Sequence, residues 1–268
     1  MSDPRAAESF TRLVDIMTRL RAPGGCPWDR EQTPESLRPY LVEEVYEVLE
    51  AIDGGDADAV RDELGDLLLQ VVFQSQLAAE AGRFTIADVA RAIADKLVRR
   101  HPHVFGDVQV RDADEVVRNW RRIKAEERRS KGQDGDLFAG VPSALPALIR
   151  AQQLGEKAGH VGLDWPSAAG VLEKVREEQG ELEAAMGSGD RAAVEHEIGD
   201  LLLSIASLAR HLDVSPEMAL RAANDRFVGR VRCVEADARA RGRTLDQLDA
   251  DELDRLWKMA KSAAEPAR

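Results

Sequence analysis

The sequence predicts an all-α protein made of two tandem copies of one helical domain. Two observations support this prediction. Only 4% of the 268 residues are aromatic although 44% are hydrophobic, and the abundant Ala, Leu, Glu and Arg favour helices, since strands favour β-branched and aromatic residues. The second observation is an internal repeat that extends over most of the chain.

The repeat is clearest in two stretches that align without gaps, one beginning at Leu41 and the other at Val175. Their acidic residues coincide, although many of the other residues differ. The shared positions are Glu43/Glu177, Glu44/Glu178, Glu47/Glu181, Glu63/Glu197, Gly65/Gly199 and Asp66/Asp200, followed in both by three leucines. Such retention indicates a duplicated function.

Two further blocks follow in the same order. DKLVRR from Asp95 matches DRFVGR from Asp225, and DADEVVRNWRRIK matches DADELDRLWKMAK, which pairs Trp120 with Trp257. A stretch rich in Gly, Ser, Asp and Pro separates the copies and is typical of a linker. We therefore predict domains at residues 1–130 and 144–268, with a linker at 131–143.

Helix boundaries can be predicted from capping residues. In the first copy we expect helices from Pro39 to Asp53, from Asp56 or Asp58 to Gly82, and over residues 86–100 and 113–128. In the second, Ser167 caps a helix that ends near 187–189, and another runs over 190–212. Units this small bury little surface, so we expect a homodimer to complete the helical bundles.

The acids lie at one margin of the apolar face on both helices of the first copy. At 100° per residue, Glu44 and Glu47 are adjacent and Glu43 is further out. Glu63 and Asp66 have the same relation on the next helix. The apolar stripes expected to be buried are Leu41, Val42, Val45, Val48, Leu49 and Ile52 on one helix and Leu64, Leu67, Leu68 and Val71 on the other.

If the two stripes pack together, four carboxylates converge, and they repel one another unless protons or cations intervene. Carboxylate oxygens suit a hard cation, Mg²⁺ or Mn²⁺, whose shell substrate phosphates can complete. A single E-x-x-E on a helix is usually a solvated face. Its duplication favours a metal and polyphosphate site, with ligands Glu44, Glu47, Glu63 and Asp66 in one copy and Glu178, Glu181, Glu197 and Asp200 in the other.

Composition excludes several other classes of protein. A net charge of −12 disfavours a nucleic-acid polymer as partner. Cys26 and Cys233 are too few for a disulfide framework. No apolar run reaches the roughly 18 residues of a membrane span, and the N-terminus lacks the pattern of a signal peptide. We expect a cytoplasmic location without a membrane partner.

The pattern EEVYE…ELGD, repeated as EEQGE…EIGD, resembles the EExxE…ExxD signature of the MazG family of all-α nucleoside triphosphate pyrophosphohydrolases. The CPWD, RRHPHVFGD and NWRRIKAEE runs add to this resemblance. It implies a helical homodimer that hydrolyses nucleoside triphosphates to monophosphate and pyrophosphate. Broad base tolerance and a role in cleaning the nucleotide pool are also implied.

Roles follow for residues around the acids. Glu43 and Glu177 are candidates to orient or deprotonate water. Substrate-binding candidates are Lys96, Arg99, Arg100, Trp120, Lys124, Asn224, Arg226, Arg230, Trp257 and Lys261. Salt bridges are an equal alternative for the cations, and a core role is the commoner one for a helical tryptophan. The resemblance supports Asn224, Arg226 and Arg230, which slightly favours the C-terminal copy as the active one.

Three rival interpretations stay open. One is another enzyme of the same superfamily, such as a dUTP or phosphoribosyl-ATP pyrophosphohydrolase. Another is a di-iron bundle, although such sites use Glu-x-x-His motifs and only acids occur here. The third is a non-catalytic regulator that binds metal and nucleotide. Nucleotide panels, iron analysis and activity assays separate them.

Overall fold

A computed structural model describes residues 4–130 and 136–264, and its regular elements there are all helical. In chain order they are α1 Pro4–Arg21, α2 Pro27–Glu31, α3 Arg38–Gly54, α4 Ala57–Glu80, α5 Ile86–Arg100, α6 Pro102–Phe105, α7 Ala113–Ser130, α8 Ala147–Gly159, α9 Ala168–Ser188, α10 Arg191–His211, α11 Pro216–Ala240, a 3-10 helix Leu245–Gln247 and α12 Ala250–Ala264. The predicted all-α fold and its tandem helical domains are confirmed.

Capping explains why the paired helices of both copies begin and end alike. The Asp56 side chain accepts a hydrogen bond from the Asp58 amide at 3.0 Å, and Asp190 does the same for Ala192 at 2.9 Å. Each satisfies a backbone donor that the first turn leaves free. The preceding helices end at Gly55 and Gly189, with φ of 73° and 72°, a conformation that glycine adopts without steric cost.

Backbone contacts divide the chain into two compact units, residues 1–128 (unit 1) and 129–268 (unit 2). The predicted linker at 131–143 begins just beyond this boundary, and its first five residues lie outside the described part of the chain. No helix that the structure describes is long and apolar enough to cross a membrane.

The core of unit 1 joins α1 to α4. Met17, Val72, Phe73 and Leu77 are buried there together with Leu37. The same two helices are joined by the Arg21 guanidinium, which donates to both carboxylate oxygens of Glu80 at 2.8 and 2.7 Å. This packing anchors α4, which also lies against α3.

In unit 2 the main buried cluster joins α11 to α12. Its residues are Val234, Ala238, Leu248, Leu256 and Ala260. Separately, α9 and α10 pack along each other as α3 and α4 do in unit 1, and α8 packs against α10. The duplicated element is therefore an antiparallel helix pair with different support in each unit.

The apolar stripes of α3 and α4 are only partly buried within the chain, where six of their ten members are exposed, whereas the sequence predicts buried stripes in bundles that a dimer partner completes. Val48 is buried, but Val42 is 56% exposed and Ile52 54%. The other exposed members are Val45, Leu64, Leu68 and Val71, and unit 2 likewise exposes Met186, Ile198, Leu202, Leu203 and Ile205. One helix pair offers too little partner surface to cover both stripes.

Candidate metal centres

In unit 1, the pairing of α3 with α4 brings acids from both helices together. One carboxylate oxygen from each of Glu44, Glu63 and Asp66 lies within 4.8 Å of the others. Glu44 comes from the middle of α3, and the other two are one turn apart on α4. Three oxygen ligands at this spacing match the donor set of a hard divalent cation.

Unit 2 forms the same group at the repeated positions. Glu178 from α9 and Glu197 and Asp200 from α10 have carboxylate oxygens within 4.8 Å of one another. The Glu178 side chain is only 6% exposed, and its Oε2 atom has no hydrogen-bond partner among the described residues. An unpartnered buried carboxylate oxygen is costly, and a cation ligated there removes that cost. The residues therefore fit a metal ion.

The fourth predicted ligand of each copy, Glu47 or Glu181, lies outside the group of close oxygens. Each nevertheless interacts electrostatically with the acids of its own group. Burial first, and then the charges of Asp66 and Glu47, raise the pKa of Glu44, against a lowering by the Gln70 hydrogen bond. Burial also raises the pKa of Glu181, with the Glu178 charge next in size.

Glu63 shows the same signature of crowded like charge. Burial, followed by the charges of Glu47 and Asp66, raises its pKa. Groups that repel one another in this way are stabilised by a proton or a cation. Glu43 and Glu177, the candidates to handle water, are both exposed beside their groups.

Lys174, the one Lys or Arg in contact with either group among the described side chains, was not among the residues predicted from the sequence. Its Nζ lies 2.7 Å from Glu177 Oε1 and 2.7 Å from Glu178 Oε1. The available signal was its spacing, three and four residues before those glutamates, at which helical side chains meet. His196 is also near, with Nε2 3.4 Å from Asp200 Oδ2.

Comparison with known proteins places the chain in a family. Residues 32–105 and 167–232 match the MazG nucleotide pyrophosphohydrolase domain. The chain is 47% identical over 253 residues to the nucleoside triphosphate pyrophosphohydrolase of Escherichia coli K12, covering 93% of this chain and 96% of that protein. It is 46% identical over 256 residues to the Thermotoga maritima nucleoside triphosphate pyrophosphohydrolase/pyrophosphatase MazG, covering 96% and 97%.

The chain belongs to the MazG family. Each matched segment contains one complete acid group, which agrees with a duplicated family domain. A relative in Bacillus subtilis, the uncharacterized protein YabN, is 42% identical over 256 residues, which are 94% of this chain and 51% of that protein. The resemblance of the EExxE…ExxD pattern to MazG sequences is confirmed.

Beside the acid group of unit 2, this MazG-family chain has a pocket of about 320 Å³. Phe138, Leu163 and Trp165 form apolar walls, while Lys174 and Glu178 border its acidic side. Sequence analysis did not assign this pocket, because its walls come from segments that are far apart in the sequence.

The pocket is held in shape by the carboxylate of Asp164. Its Oδ1 atom accepts from Arg210 Nη2 at 2.6 Å and from the Trp165 amide at 2.9 Å, and lies 3.0 Å from His211 Nε2. The Arg210 hydrogen bond is the main reason that the pKa of Asp164 is lowered. These contacts fix the loop that carries Trp165 against α10.

In unit 1 the predicted phosphate-binding arginines are already occupied. Arg99 Nε lies 2.7 Å from Glu127 Oε1, and Arg100 Nη2 lies 2.5 Å from Glu127 Oε2. These bonds, that of Arg100 foremost, lower the pKa of Glu127 to about 2. The Trp120 ring packs edge-on against His101 at 4.8 Å. The remaining candidates, Lys96 and Lys124, are exposed.

In unit 2, Arg230 is half-buried and its Nε has no hydrogen-bond partner among the described residues. Trp257 packs against Phe227 at 5.5 Å and lines an apolar groove of about 340 Å³ with Val231 and Leu253. The other candidates, Asn224, Arg226 and Lys261, are exposed. None of these predicted residues is among those lining the pocket beside the acids.

Proposed function

We propose that the chain hydrolyses nucleoside and deoxynucleoside triphosphates to monophosphate and pyrophosphate, with Mg²⁺ or Mn²⁺ as the cofactor. The observation that carries this proposal is the pair of acid groups, each with three carboxylate oxygens within 4.8 Å, at repeated positions of two helix pairs. Membership of a nucleotide pyrophosphohydrolase family supports the reaction class. The cytoplasm, which holds the triphosphate pool, is the proposed location.

Phosphate chemistry follows from the charge of these groups. Carboxylates alone repel a polyphosphate, so binding requires a cation between the two. When bound, a divalent metal neutralises phosphate charge and lowers the pKa of a coordinated water. We assign Glu44, Glu63 and Asp66 in unit 1, and Glu178, Glu197 and Asp200 in unit 2, as its ligands. Glu47 and Glu181 complete the sets.

Glu43 and Glu177 are proposed to accept the proton of the attacking water. Each is exposed and adjacent in sequence to a ligand, so it can reach a solvent molecule without leaving its helix. Attack on the phosphorus nearest the sugar releases pyrophosphate as the leaving group. Positioning and electrostatic stabilisation supply most of the acceleration in such phosphoryl reactions.

Cationic and aromatic side chains are proposed to hold the substrate beyond the metal. They are Lys96, Arg99, Arg100, Trp120 and Lys124 in the domain at 1–130, and Asn224, Arg226, Arg230, Trp257 and Lys261 in the domain at 144–268. Arg230 retains an unpartnered Nε, whereas Arg99 and Arg100 are engaged by Glu127. This difference favours unit 2 as the more active copy.

The pocket lined by Trp165 is placed to receive the nucleoside end of a triphosphate whose phosphates lie at Glu178. Its apolar walls and aromatic ring accept any base by stacking, which suits broad base tolerance. Nucleotide binding in the presence of Ca²⁺, which we expect not to support turnover, should quench tryptophan fluorescence more strongly in the wild type than in Trp165→Phe. Equal quenching at saturating nucleotide would place the base elsewhere.

A homodimer is proposed to cover the apolar stripes. Leu64 and Leu68 are 48% and 40% exposed on α4, and contiguous apolar surface of this kind marks a protein interface. The double substitution Leu64→Glu and Leu68→Glu should convert the dimer to a monomer, as measured by sedimentation velocity. The matched control is Ile16→Glu, equally exposed on α1, which should leave the dimer intact.

Pyrophosphate release from four NTPs and four dNTPs with Mg²⁺ tests the function. Glu44→Gln and Glu178→Gln each remove a proposed ligand without changing side-chain volume, and the double variant removes one from both copies. We expect the double variant to lose at least about 100-fold in rate, with the larger single loss from Glu178→Gln. Glu183→Gln, exposed further along α9, is the control.

Two outcomes would contradict the proposal. One is undiminished release by the double variant, which would remove these acids from the mechanism. The other is absence of release from the wild type on every nucleotide, which would favour a binding protein that senses metal and nucleotide.

A further inference from the structure

The acid group of unit 2 contains its own cation. Lys174 Nζ makes two contacts of equal length, 2.7 Å to Glu177 and 2.7 Å to Glu178. The Glu178 side chain is 6% exposed, whereas that of Lys174 is 31% exposed. A buried carboxylate beside other acids needs a nearby positive charge, and Lys174 supplies it from the solvent side.

Unit 1 lacks this device, although its acids are repeated. The residue four positions before Glu44 is Tyr40, whose ring packs edge-on against Trp28 at 5.8 Å. Glu44 accepts a hydrogen bond from the uncharged amide of Gln70, at 3.4 Å. Among the described side chains, no Lys or Arg forms an ion pair with Glu44, Glu63 or Asp66.

We propose that Lys174 is a resident counter-cation of the unit 2 site, which leaves Glu178 when a divalent metal binds there. The inference rests on the proposed metal role of the acids. Glu178 Oε1 is occupied by the ammonium group, and only Oε2 is unpartnered. A divalent metal that takes Oε2 as ligand comes close to this ammonium group and repels it, so Lys174 shifts towards Glu177, which is exposed and can keep it.

The consequence is an order of filling. In unit 1 a divalent ion meets carboxylates that only repel one another, so its binding relieves that repulsion. In unit 2 the ion competes with an ammonium group already in place and is also repelled by it. Unit 1 should therefore bind metal at lower concentration than unit 2, with Lys174 setting the difference.

A Mn²⁺ titration of the full chain without nucleotide tests this order of filling. Free Mn²⁺ is measured by its electron paramagnetic resonance signal. Glu63→Gln with Asp66→Asn removes unit 1 binding and leaves the unit 2 site to be titrated. In that background Lys174→Met should tighten Mn²⁺ binding by about 3- to 10-fold. Circular dichroism checks that each variant is folded.

The reciprocal exchange uses the other unit. With unit 2 disabled by Glu197→Gln and Asp200→Asn, Tyr40→Lys should weaken Mn²⁺ binding at unit 1 by a similar factor. Tyr40→Met is its control, because it also loses the ring contact with Trp28 but adds no charge. A Tyr40→Met variant as weak as Tyr40→Lys would overturn the role of the cation.

Chemical labelling distinguishes displacement from repulsion at a distance. Acylation of Lys174, measured by mass spectrometry of its peptide, should rise severalfold on adding Mg²⁺, because the lysine leaves a buried carboxylate. The internal reference is Lys258, whose Nζ lies 2.5 Å from Asp254 Oδ2. This residue is not part of either acid group, so its acylation should not change.

The failures of the two proposals can be told apart. Mn²⁺ binding at unit 2 that Lys174→Met leaves unchanged or weaker would overturn the counter-cation, as would labelling of Lys174 that Mg²⁺ does not alter. Absence of Mn²⁺ binding at unit 2 with either residue at position 174 would instead overturn the metal role of the acids and, with it, the proposed function.

Discussion

Glu44 of unit 1 and Glu178 of unit 2 occupy the same place in the repeat but have different partners. Glu44 has an uncharged amide at 3.4 Å, and Glu178 has the Lys174 ammonium at 2.7 Å. Burial and, after it, the charges of Asp66 and Glu47 raise the pKa of Glu44, so a proton or a cation stabilises the acids of unit 1. Unit 2 compensates Glu178 with a side chain.

The predicted phosphate-binding residues differ in the opposite sense. Glu127 engages both Arg99 and Arg100 in unit 1, whereas the position aligned with Glu127 in unit 2 is Ala264. Unit 1 thus has unpaired acids and paired arginines, while unit 2 has a paired acid and an arginine, Arg230, with an unpartnered Nε. Duplication retained the acidic residues of the two groups and let their surroundings diverge.

The largest effect is expected where the two units anchor their helix pairs with reversed charges. In unit 1 the second helix of the pair, α4, carries the acid, Glu80, which binds Arg21. In unit 2 the second helix of the pair, α10, carries the base, Arg210, which binds Asp164. Asp164→Asn neutralises a carboxylate that is only 19% exposed and leaves Arg210 without a charged partner. It should lower the free energy of unfolding by about 2–4 kcal/mol, less than a fully buried pair would lose.

Glu80→Gln is the matched change in unit 1. Glu80 is 38% exposed, so water replaces part of the lost interaction, and the loss should be about 1 kcal/mol. Urea unfolding followed by tryptophan fluorescence measures both variants. Equal losses would mean that the two anchors contribute alike, against the difference in burial.

The next effect is specific to unit 1 and depends on pH. The pKa of Glu127 is lowered from 4.5 to about 2 by its arginine partners, so the folded chain keeps this carboxylate ionised where the unfolded chain protonates it. Its contribution to stability is therefore present above pH 4.5 and is lost as pH falls towards 2. At pH 7 it should be about 1–2 kcal/mol.

The free energy of unfolding of the wild type and of Glu127→Gln, measured between pH 7 and pH 3, tests this contribution. The difference in that free energy between the two proteins should become smaller below pH 4.5. A difference independent of pH would show that the amide replaces the carboxylate equally well in both charge states, and that Arg99 and Arg100 are not held by charge.

Local sequence rules predicted the helices and the acid groups well. The wheel positions of Glu44 on one helix and of Glu63 and Asp66 on the next depend only on helical geometry, and the structure brings these three together. The positions of Glu47 and Glu181, slightly outside the groups, depend on how the helices are rotated against each other. Periodicity does not specify that rotation.

Tertiary contacts account for what the sequence could not show. Glu127 binds Arg99 and Arg100, which lie 28 and 27 residues earlier in the sequence. No pattern in the sequence between them predicts this contact. The apolar stripes were expected to be buried, and six of their ten members are exposed within the chain. Hydrophobic periodicity identifies a face to be covered without saying whether the cover comes from the same chain.

The smallest expected effect is a change in melting temperature. It separates the two acid groups most clearly, because the change has opposite signs in the two units. In EDTA at pH 7.5, Glu44→Gln removes a carboxylate that the folded state disfavours, as its raised pKa indicates. It should therefore raise the melting temperature by about 1–3 °C. Glu178→Gln removes a partner of Lys174 from a buried site and should lower it by a similar amount.

Scanning calorimetry of both variants, with Glu183→Gln as the surface control, measures these shifts. Excess Mg²⁺ should reverse the sign for Glu44→Gln, because a bound cation stabilises the wild type and the variant has lost a ligand. Shifts of the same sign in EDTA would mean that Lys174 does not compensate Glu178. The two groups would then be equivalent in charge as well as in geometry.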